Sequence, residues 1–451
     1  MRNIIYLGFK MVDKDAREHI GVYNFSNIRF AAAPVGDLRF APPASPKVNR
    51  SLVQTGSEAR ICPQDLPSWM PQSMSNAISY VLNGSITSMG PILMDPRASE
   101  DCLFLDVVVP KKIFETSGKK MKGAPVLVWI DGGGYTGGSK SGQWSGSPIG
   151  LLRRGDNGFV YLAINYRIGA FGWLSGSYVQ RTAQQTLVFI ISFLTVPNAY
   201  GGSNGTVSFQ QAILQSPVFT PDQILNPDQQ ERIFHEFLEF ADVSTLEGAR
   251  HLPSSVLMEA NRQQVYNFPL GSFTYGPVVD GIFVPEAPSR LLSQRKLDTT
   301  PNDTAYVSTQ LYPPVFNGSR RYTDEISRAG ATFQEVIIQC NDIMLAMAFG
   351  NATFNYVFDI FPGLHAQDIS ATFDVNLNPT PGTFDPLIAL QQIITSFTLT
   401  GEPATDLVRH IPIYGPENRL LVLNATGIST SREDPRVVER CEEWNKLLHA
   451  A

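Results

Sequence analysis

Three consecutive glycines, Gly132, Gly133 and Gly134, follow the apolar segment 126–130 and are the residues best suited to chemistry. A glycine run at the end of a strand can leave backbone N–H groups free to converge on the oxyanion of a tetrahedral intermediate in acyl transfer. That chemistry also needs a hydroxyl nucleophile on a tight strand-to-helix turn, a histidine that takes its proton and a carboxylate that orients the histidine. No serine turn of this kind follows the glycines where one is expected.

A formal G-x-S-x-G pattern at 201–205 makes Ser203 the candidate nucleophile. The apolar run 187–196 upstream predicts a buried strand, but residues 197–200 separate the two, whereas a catalytic serine must follow its strand directly. Asn204 also begins an Asn-x-Thr sequon, which favours an exposed turn over a pocket. The sequence therefore favours a loop at Ser203 over a nucleophile.

Length and composition indicate a large, folded, mildly acidic protein. Its 451 residues are 43% hydrophobic and 17% charged, with a net charge of −6. This balance permits a sizeable core and provides no basic face for nucleic acid. The longest apolar run falls short of the roughly 20 residues that cross a bilayer, and the first residues lack the features of a signal peptide. We therefore expect no nucleic-acid partner, no transmembrane segment and no signal peptide in this sequence.

Four cysteines and eight Asn-x-Ser/Thr sequons favour a secreted or secretory-pathway glycoprotein. The sequons begin at Asn24, Asn49, Asn83, Asn204, Asn302, Asn317, Asn351 and Asn424. The cysteines lack the C-x-x-C spacing typical of zinc sites, which leaves two disulfides or four buried thiols as the alternatives. The sequons favour oxidation, and no metal site is expected.

Strand-like and helix-like segments alternate along the chain. Segments 105–109, 126–130 and 159–164 predict strands of a central sheet, and 355–360 and 420–424 predict later strands. Helices are predicted after Asn226 with Pro227 first, after a capping box of Thr332 and Glu335, over 387–399 before Gly401, and from near Pro435. The order indicates the α/β class, with a mostly parallel sheet flanked by helices in a single domain over 1–451.

The segment EDCLFLDV at 100–107 resembles the type-B carboxylesterase/lipase family, which includes cholinesterases and fungal lipases. Further segments carry the same resemblance: IRFAAAPVGDLRFAPP (28–43), VLVWIDGGGYTGGS (126–139), NYRIGAFGWLSG (165–176), FQQAILQSP (209–217), GPVVDGIFVPEAP (276–288), LHAQDISATF (364–373) and CEEWNKLL (441–448). The resemblance runs nearly end to end with gaps. It implies the α/β-hydrolase fold, incomplete around the nucleophile strand.

The resemblance also implies structural pairs and site residues. It pairs Cys62 with Cys102 and Cys340 with Cys441, and it places Arg39 and Glu100 in a buried ion pair. It assigns His365 as the general base and Gly133 and Gly134 as the oxyanion hole, facing a common cleft. Asp131 stands where relatives often carry histidine or tyrosine, and a carboxylate there opposes the developing charge unless it points away or is protonated.

Two catalytic segments of the family have no match in this chain. Relatives follow the NYRIGAFGWL-like segment with a helix, a strand and a G-E-S-A-G turn, and they supply a glutamate after the GPVVDG-like segment. Asp298, Asp303 and Glu335 are possible substitutes for that acid, but each is better interpreted as a solvated or capping residue. Loss of the serine or histidine typically lowers kcat by about 10⁶ and leaves about 10³ over water.

The leading hypothesis is a carboxylic ester hydrolase by family, using Ser-His-Glu acyl transfer on small apolar or aromatic esters without metal or organic cofactor. Because the serine turn has no match, this chain is expected to be inactive or weak. The alternatives are a non-catalytic binding or adhesion homologue and the product of a faulty gene model. The sequence predicts neither the ester nor the oligomeric state.

Overall fold

The computed structural model of the protein describes residues 3–6, 9–12, 21–47, 53–54, 56, 59–71, 95–117, 123–142, 145–181, 209–218, 227–269, 272–279, 311–312, 322, 324–350, 352–361, 363–375 and 385–449. The chain divides into two compact units. The first unit comprises Met1–Val188, Asn226–Pro277 and Gln367–Asp406. The second comprises Phe189–Leu225, Val278–Ala366 and Leu407–Ala451.

The described strands are, in chain order, β1 (Asn3–Tyr6), β2 (Phe9–Val12), β3 (Val22–Arg29), β4 (Val53–Gln54), β5 (Phe104–Pro110), β6 (Val126–Ile130), β7 (Val160–Ile164), β8 (Asn355–Asp359), β9 (Arg419–Asn424) and β10 (Gly427–Arg432). The described helices are α1 (Lys111–Thr116), α2 (Ile149–Arg154), α3 (Ala170–Trp173), α4 (Ser177–Arg181), α5 (Pro227–Phe240), α6 (Leu246–Arg250), α7 (Ser254–Tyr266), α8 (Glu325–Gln334), α9 (Cys340–Ala348), α10 (Gln367–Thr372), α11 (Pro386–Thr400) and α12 (Pro435–His449). They confirm the predicted α/β class.

The main sheet of the first unit has the order β3-β5-β7-β6. Strand β5 runs antiparallel to β3 and β7, whereas β6 runs parallel to β7, with Ile130 opposite Ile164. The three strands predicted at 105–109, 126–130 and 159–164 are therefore confirmed. Parallel strands end at the same edge of a sheet, so the loops after Ile130 and Ile164 begin at the same edge. This brings the loop that contains the glycine run beside Tyr166.

Helices α5 and α11 of the first unit form where the sequence predicts them. Pro227 opens α5, and Phe234, Phe237 and Leu238 are buried on one face; the predicted cap Asn226 lies outside the described residues. In α11, the Asp385 side chain accepts from the N–H of Leu387 at 2.9 Å. Its last turn ends at Gly401, whose φ of 81° is the left-handed conformation that favours glycine.

The second unit contains a sheet of order β10-β9-β8. Strand β9 runs parallel to β8 and antiparallel to β10, to which it is joined by a short hairpin. These strands confirm the predictions at 355–360 and 420–424, and α12 starts at the predicted Pro435.

The predicted capping box of Thr332 and Glu335 is wrong. Helix α8 begins earlier, where the Asp324 carboxylate accepts from the N–H of Ser327 at 2.7 Å and Ser327 accepts from the N–H of Asp324 at 3.1 Å. Thr332 lies inside α8, and its hydroxyl donates to the Arg328 carbonyl oxygen at 2.9 Å. Glu335 opens a π-helical segment, Glu335–Gln339, that joins α8 to α9. The residues at 332–335 match the sequence pattern of a capping box, but the reciprocal hydrogen bonds that cap α8 are formed by Asp324 and Ser327, earlier in the chain.

Two disulfides, Cys62–Cys102 and Cys340–Cys441, are present, one within each unit. The alternative of four buried thiols is therefore excluded. The chain-entropy model credits closed loops of these lengths with roughly 4 to 5 kcal/mol of stabilisation each.

In the part of the chain that the structure describes, no helix is both long enough and apolar enough to cross a membrane.

Candidate active site

The glycine run forms a tight loop directly after β6. Gly133 and Gly134 have φ of 130° and 60°, in the region that glycine occupies without strain. The N–H groups of Thr136 and Gly137 both donate to the Gly133 carbonyl oxygen, at 3.2 and 3.0 Å. Among the described residues, the N–H groups of Gly133 and Gly134 themselves have no hydrogen-bond partner. Two neighbouring free donors of this kind can stabilise an oxyanion.

Three hydrogen bonds hold residues 131–138 in place, a segment named the oxyanion loop here for its predicted role. The Gly138 N–H donates to Gln64 Oε1 at 2.9 Å. The Asp65 N–H donates to the Thr136 carbonyl oxygen at 2.9 Å, and the Gly169 N–H donates to that of Tyr135 at 2.7 Å. The loop is thus bonded to segments on both sides of it in the sequence, which orients its donors before any ligand binds.

Asp131, the first residue of the oxyanion loop, is buried with 1% of its surface exposed. Among the described residues other than Asp131 itself, neither carboxyl oxygen has a hydrogen-bond partner. Burial raises the pKa of Asp131 well above its ordinary value and outweighs the lowering effect of its own backbone N–H. The Tyr166 hydroxyl donates to the Asp131 backbone carbonyl oxygen at 2.8 Å. The sequence analysis requires that an acid at this position either points away from the developing charge or is protonated. Burial of the carboxyl group favours the protonated form.

Aromatic side chains lie against the loop. A Cβ added to Gly134 would overlap the ring of Phe273, so the ring contacts the glycine backbone directly. Trp69 meets Phe273 edge to face, with ring centroids 5.7 Å apart. Tyr135 and Trp173 form a second such pair at 5.0 Å. Sequence analysis did not predict this apolar surface, because no local sequence pattern indicates that Phe273 contacts Gly134.

Asp65 is a second acid beside the loop that sequence analysis missed. Burial raises the pKa of Asp65 to about 6, although the Leu66 N–H donates to its carboxylate at 2.8 Å. Because the backbone N–H of Asp65 donates to the Thr136 carbonyl oxygen, a charge change at Asp65 occurs on a residue that anchors the oxyanion loop.

Arg39 and Glu100 form a buried bidentate ion pair. Arg39 Nε donates to Glu100 Oε1 and Arg39 Nη2 to Glu100 Oε2, both at 2.7 Å. The Ser254 hydroxyl also donates to Glu100. These contacts lie within the first unit and support its framework without touching the oxyanion loop.

His365 lies in the second unit, in the turn before α10, and its side chain is exposed. The next residue, Ala366, has a φ of 66°. Gly133 and Gly134 belong to the first unit, so the catalytic role of His365 stays a prediction. Ser203, Asp298 and Asp303 lie outside the described residues.

Glu335 is neither a solvated nor a capping acid, and that interpretation is wrong. It is 6% exposed, and Arg440 donates to its two carboxylate oxygens at 2.7 and 2.6 Å. The Tyr312 hydroxyl donates to Glu335 Oε2 at 2.7 Å. A carboxylate with these partners stabilises the contact between the π-helical segment and α12, which explains its burial.

Comparison with known proteins identifies related chains over nearly the whole length. The model of the carboxylesterase family matches residues 8–181. Carboxylesterase patB of Penicillium expansum is 32% identical over 526 aligned residues, covering 94% of this chain and 92% of that protein. Carboxylesterase patB of Aspergillus clavatus is 30% identical, with the same coverage of 94% and 92%. The crystal structure of Aspergillus niger EstA matches 99% of both chains with a TM-score of 0.72 at 20% identity, which shows the α/β-hydrolase fold.

The alignment with the Penicillium expansum protein is longer than this chain. Since 94% of 451 residues is about 424, about 100 of the 526 aligned positions have no residue here. The match nevertheless extends over most of both proteins. The chain therefore belongs to the carboxylesterase family.

Proposed function

We propose that this protein binds small apolar or aromatic carboxylic esters and hydrolyses them weakly or not at all. The observation that carries the proposal is the pair of N–H groups at Gly133 and Gly134, which lack partners among the described residues and lie beside the ring of Phe273. Such donors suit the carbonyl oxygen of an ester, and the neighbouring aromatic surface suits an apolar acyl or alcohol group.

The roles proposed for the residues follow the chemistry of acyl transfer. The carbonyl oxygen of the ester accepts hydrogen bonds from Gly133 and Gly134, and these bonds strengthen as negative charge develops on that oxygen. Because the chain has no identified activated serine, the proposed attacking group is a water molecule, from which His365 takes a proton that it then gives to the leaving alcohol. Acyl transfer of this kind needs neither metal nor organic cofactor.

The proposed weakness of hydrolysis rests on the nucleophile. About 100 aligned positions of a carboxylesterase relative have no residue in this chain, and no G-E-S-A-G segment occurs in the sequence. Ser203 is separated from the preceding apolar run 187–196 by six residues that include Pro197. With binding and oxyanion donors but no activated serine, a rate of about 10³ over water is the expected ceiling.

Two disulfides and eight sequons support a secretory-pathway location for the folded protein. Disulfides persist in oxidising compartments and are rare where thiols are kept reduced.

Hydrolysis of a short-chain 4-nitrophenyl ester tests the proposal, with Ser203→Ala and His365→Ala as variants. We expect slow turnover that Ser203→Ala leaves unchanged. Binding of a non-hydrolysable 4-nitrophenyl ether, followed by tryptophan fluorescence, should weaken in Phe273→Ala because that variant removes the aromatic contact. Fast turnover abolished by Ser203→Ala would overturn the claim of weak hydrolysis, and absence of binding would overturn the claim of an ester site.

The aligned positions that have no residue in this chain also support a second candidate, in which the active protein is a longer product of the same gene. Sequencing transcripts across codons 173–209 tests it. A transcript that encodes an additional helix, strand and serine turn at this point would assign ester hydrolysis to the longer product. A transcript that matches the present sequence would leave the ester-binding protein as the functional form.

A further inference from the structure

The carboxyl group of Asp131 occupies the interior of the oxyanion loop. A Cβ added to Gly138 would overlap both Asp131 Oδ2 and the Gly132 carbonyl oxygen. The carboxyl oxygen and the carbonyl oxygen therefore share the space beside Gly138. Asp131 is buried whereas Gly132 is exposed, so the carboxyl oxygen cannot exchange its neighbouring acceptor for water. Two hydrogen-bond acceptors held side by side repel each other unless one of them carries a proton.

Among the described residues, no positive charge contributes to the pKa of Asp131. Tyr161 faces it from β7, and Tyr166 approaches from the loop after β7. Lys140, in the segment that follows the loop, forms an ion pair with Asp106 at 2.7 Å. Among the described residues, no ion pair involves Asp131. A buried carboxyl group in such surroundings is more stable in its neutral form.

We propose that Asp131 is a positioning residue whose protonated carboxyl group donates to the Gly132 carbonyl oxygen and so fixes the oxyanion loop. This hydrogen bond satisfies both acceptors beside Gly138 and holds the next two N–H groups in one orientation. The neutral form also keeps negative charge away from the site where the ester oxyanion develops. The effect on ester binding rests on the proposed function, whereas the protonation state does not.

The infrared spectrum tests the protonation state directly. At a pH of about 8.5, Asp65 and Asp342, whose pKa values are about 6 and about 7, are ionised. We expect wild-type protein labelled with ¹³C-aspartate to show the carbonyl stretch of a protonated carboxyl group, and Asp131→Asn to lack it. A wild-type spectrum without that band, or a band that persists in Asp131→Asn, would overturn the proposal.

Folding of the variant is not required for a decision, because the wild-type spectrum alone can contradict the proposal. Asp131→Leu provides a second variant without a titratable group, and circular dichroism establishes which variants are folded. If neither variant folds, a protonated-aspartate band in the wild type at this pH supports the proposal.

Binding of benzoate, a carboxylate, measures the consequence for the loop. An ionised Asp131 would repel the anion, so removing its charge would strengthen binding tenfold or more. If Asp131 is neutral, we expect wild type and Asp131→Asn to bind benzoate within about threefold of each other at neutral pH. Tenfold tighter binding by Asp131→Asn would overturn the proposal. Absence of benzoate binding in all variants would contradict the ester site and leave the infrared result to decide the protonation state.

Discussion

Arg39 lies against Glu100 in a buried ion pair and at the same time binds a distant segment of the chain. Its Nη1 donates to the carbonyl oxygens of Arg250 and Leu252 at 2.6 and 2.5 Å. One guanidinium group thus joins the segment after β3 to the connection between α6 and α7. Each carboxylate oxygen of Glu100 also receives its own donor, so the pair is fully hydrogen-bonded.

Glu100→Ala should lower the free energy of unfolding by about 3 to 5 kcal/mol, because it leaves the Arg39 charge buried without a partner. Chemical denaturation measures the loss. The control is Glu247→Ala, which removes the exposed partner of Arg250 and should cost less than about 1 kcal/mol. Equal losses in the two variants would show that the buried pair has no special role.

Gly134→Ala should destabilise the protein by about 2 kcal/mol, since alanine is strained at a φ of 60° and its Cβ would overlap Phe273. Gly132→Ala is the matched control, because a Cβ at this position meets nothing within 4 Å. Its effect should stay under about 0.5 kcal/mol. Thermal unfolding of both variants tests the geometry of the loop, and equal melting temperatures would contradict it.

Asp324→Ala should cost about 1 kcal/mol by removing the cap of α8. Thr332→Ala should be neutral or slightly stabilising, because its hydroxyl only donates to a carbonyl within the helix. Urea denaturation of the two variants distinguishes the cap in the structure from the one predicted by the sequence. The opposite order of effects would restore the capping box at Thr332 and Glu335.

Asp342 should make the protein less stable as pH rises from about 4 to 7. Burial and the nearby Glu433 carboxylate raise the pKa of Asp342 to about 7, against 3.8 for an ordinary aspartate. The folded state therefore keeps a proton that the unfolded state loses, and this stabilisation disappears as pH rises through 7. Asp342→Asn should be more stable than wild type by about 2 kcal/mol at pH 8, a discounted value because part of the residue surface is exposed although its carboxyl group is surrounded by protein.

Thermal unfolding at pH 5 and pH 8 measures this effect. The difference between Asp342→Asn and wild type should be much smaller at pH 5, where the wild-type carboxyl group is neutral. Glu402→Gln, which removes an exposed carboxyl group, serves as the control and should show no such dependence on pH. A constant difference between wild type and Asp342→Asn at both values would contradict the assignment.

The sequence predicts the parts of the fold that depend on local signals. The apolar segment 387–399 and Gly401 predict helix α11, because the preference of glycine for the left-handed conformation ends a helix within one turn. Its cap at Asp385 is seen only in the structure. The disulfides and the Arg39–Glu100 pair required the family resemblance, because spacing alone does not identify partners. Burial of Asp131 and the contact of Phe273 with Gly134 depend on tertiary packing, and no local pattern predicts them. Glu335 illustrates the same limit, since its partner Arg440 lies 105 residues away.

We propose that this carboxylesterase-family chain keeps an oxyanion loop but lacks an activated serine. Intact-mass measurement after treatment with a fluorophosphonate, which reacts covalently with activated serines, tests this claim most directly. We predict that the mass of the folded protein does not change under conditions that label an active serine esterase completely. Stoichiometric labelling that Ser203→Ala abolishes would contradict the account.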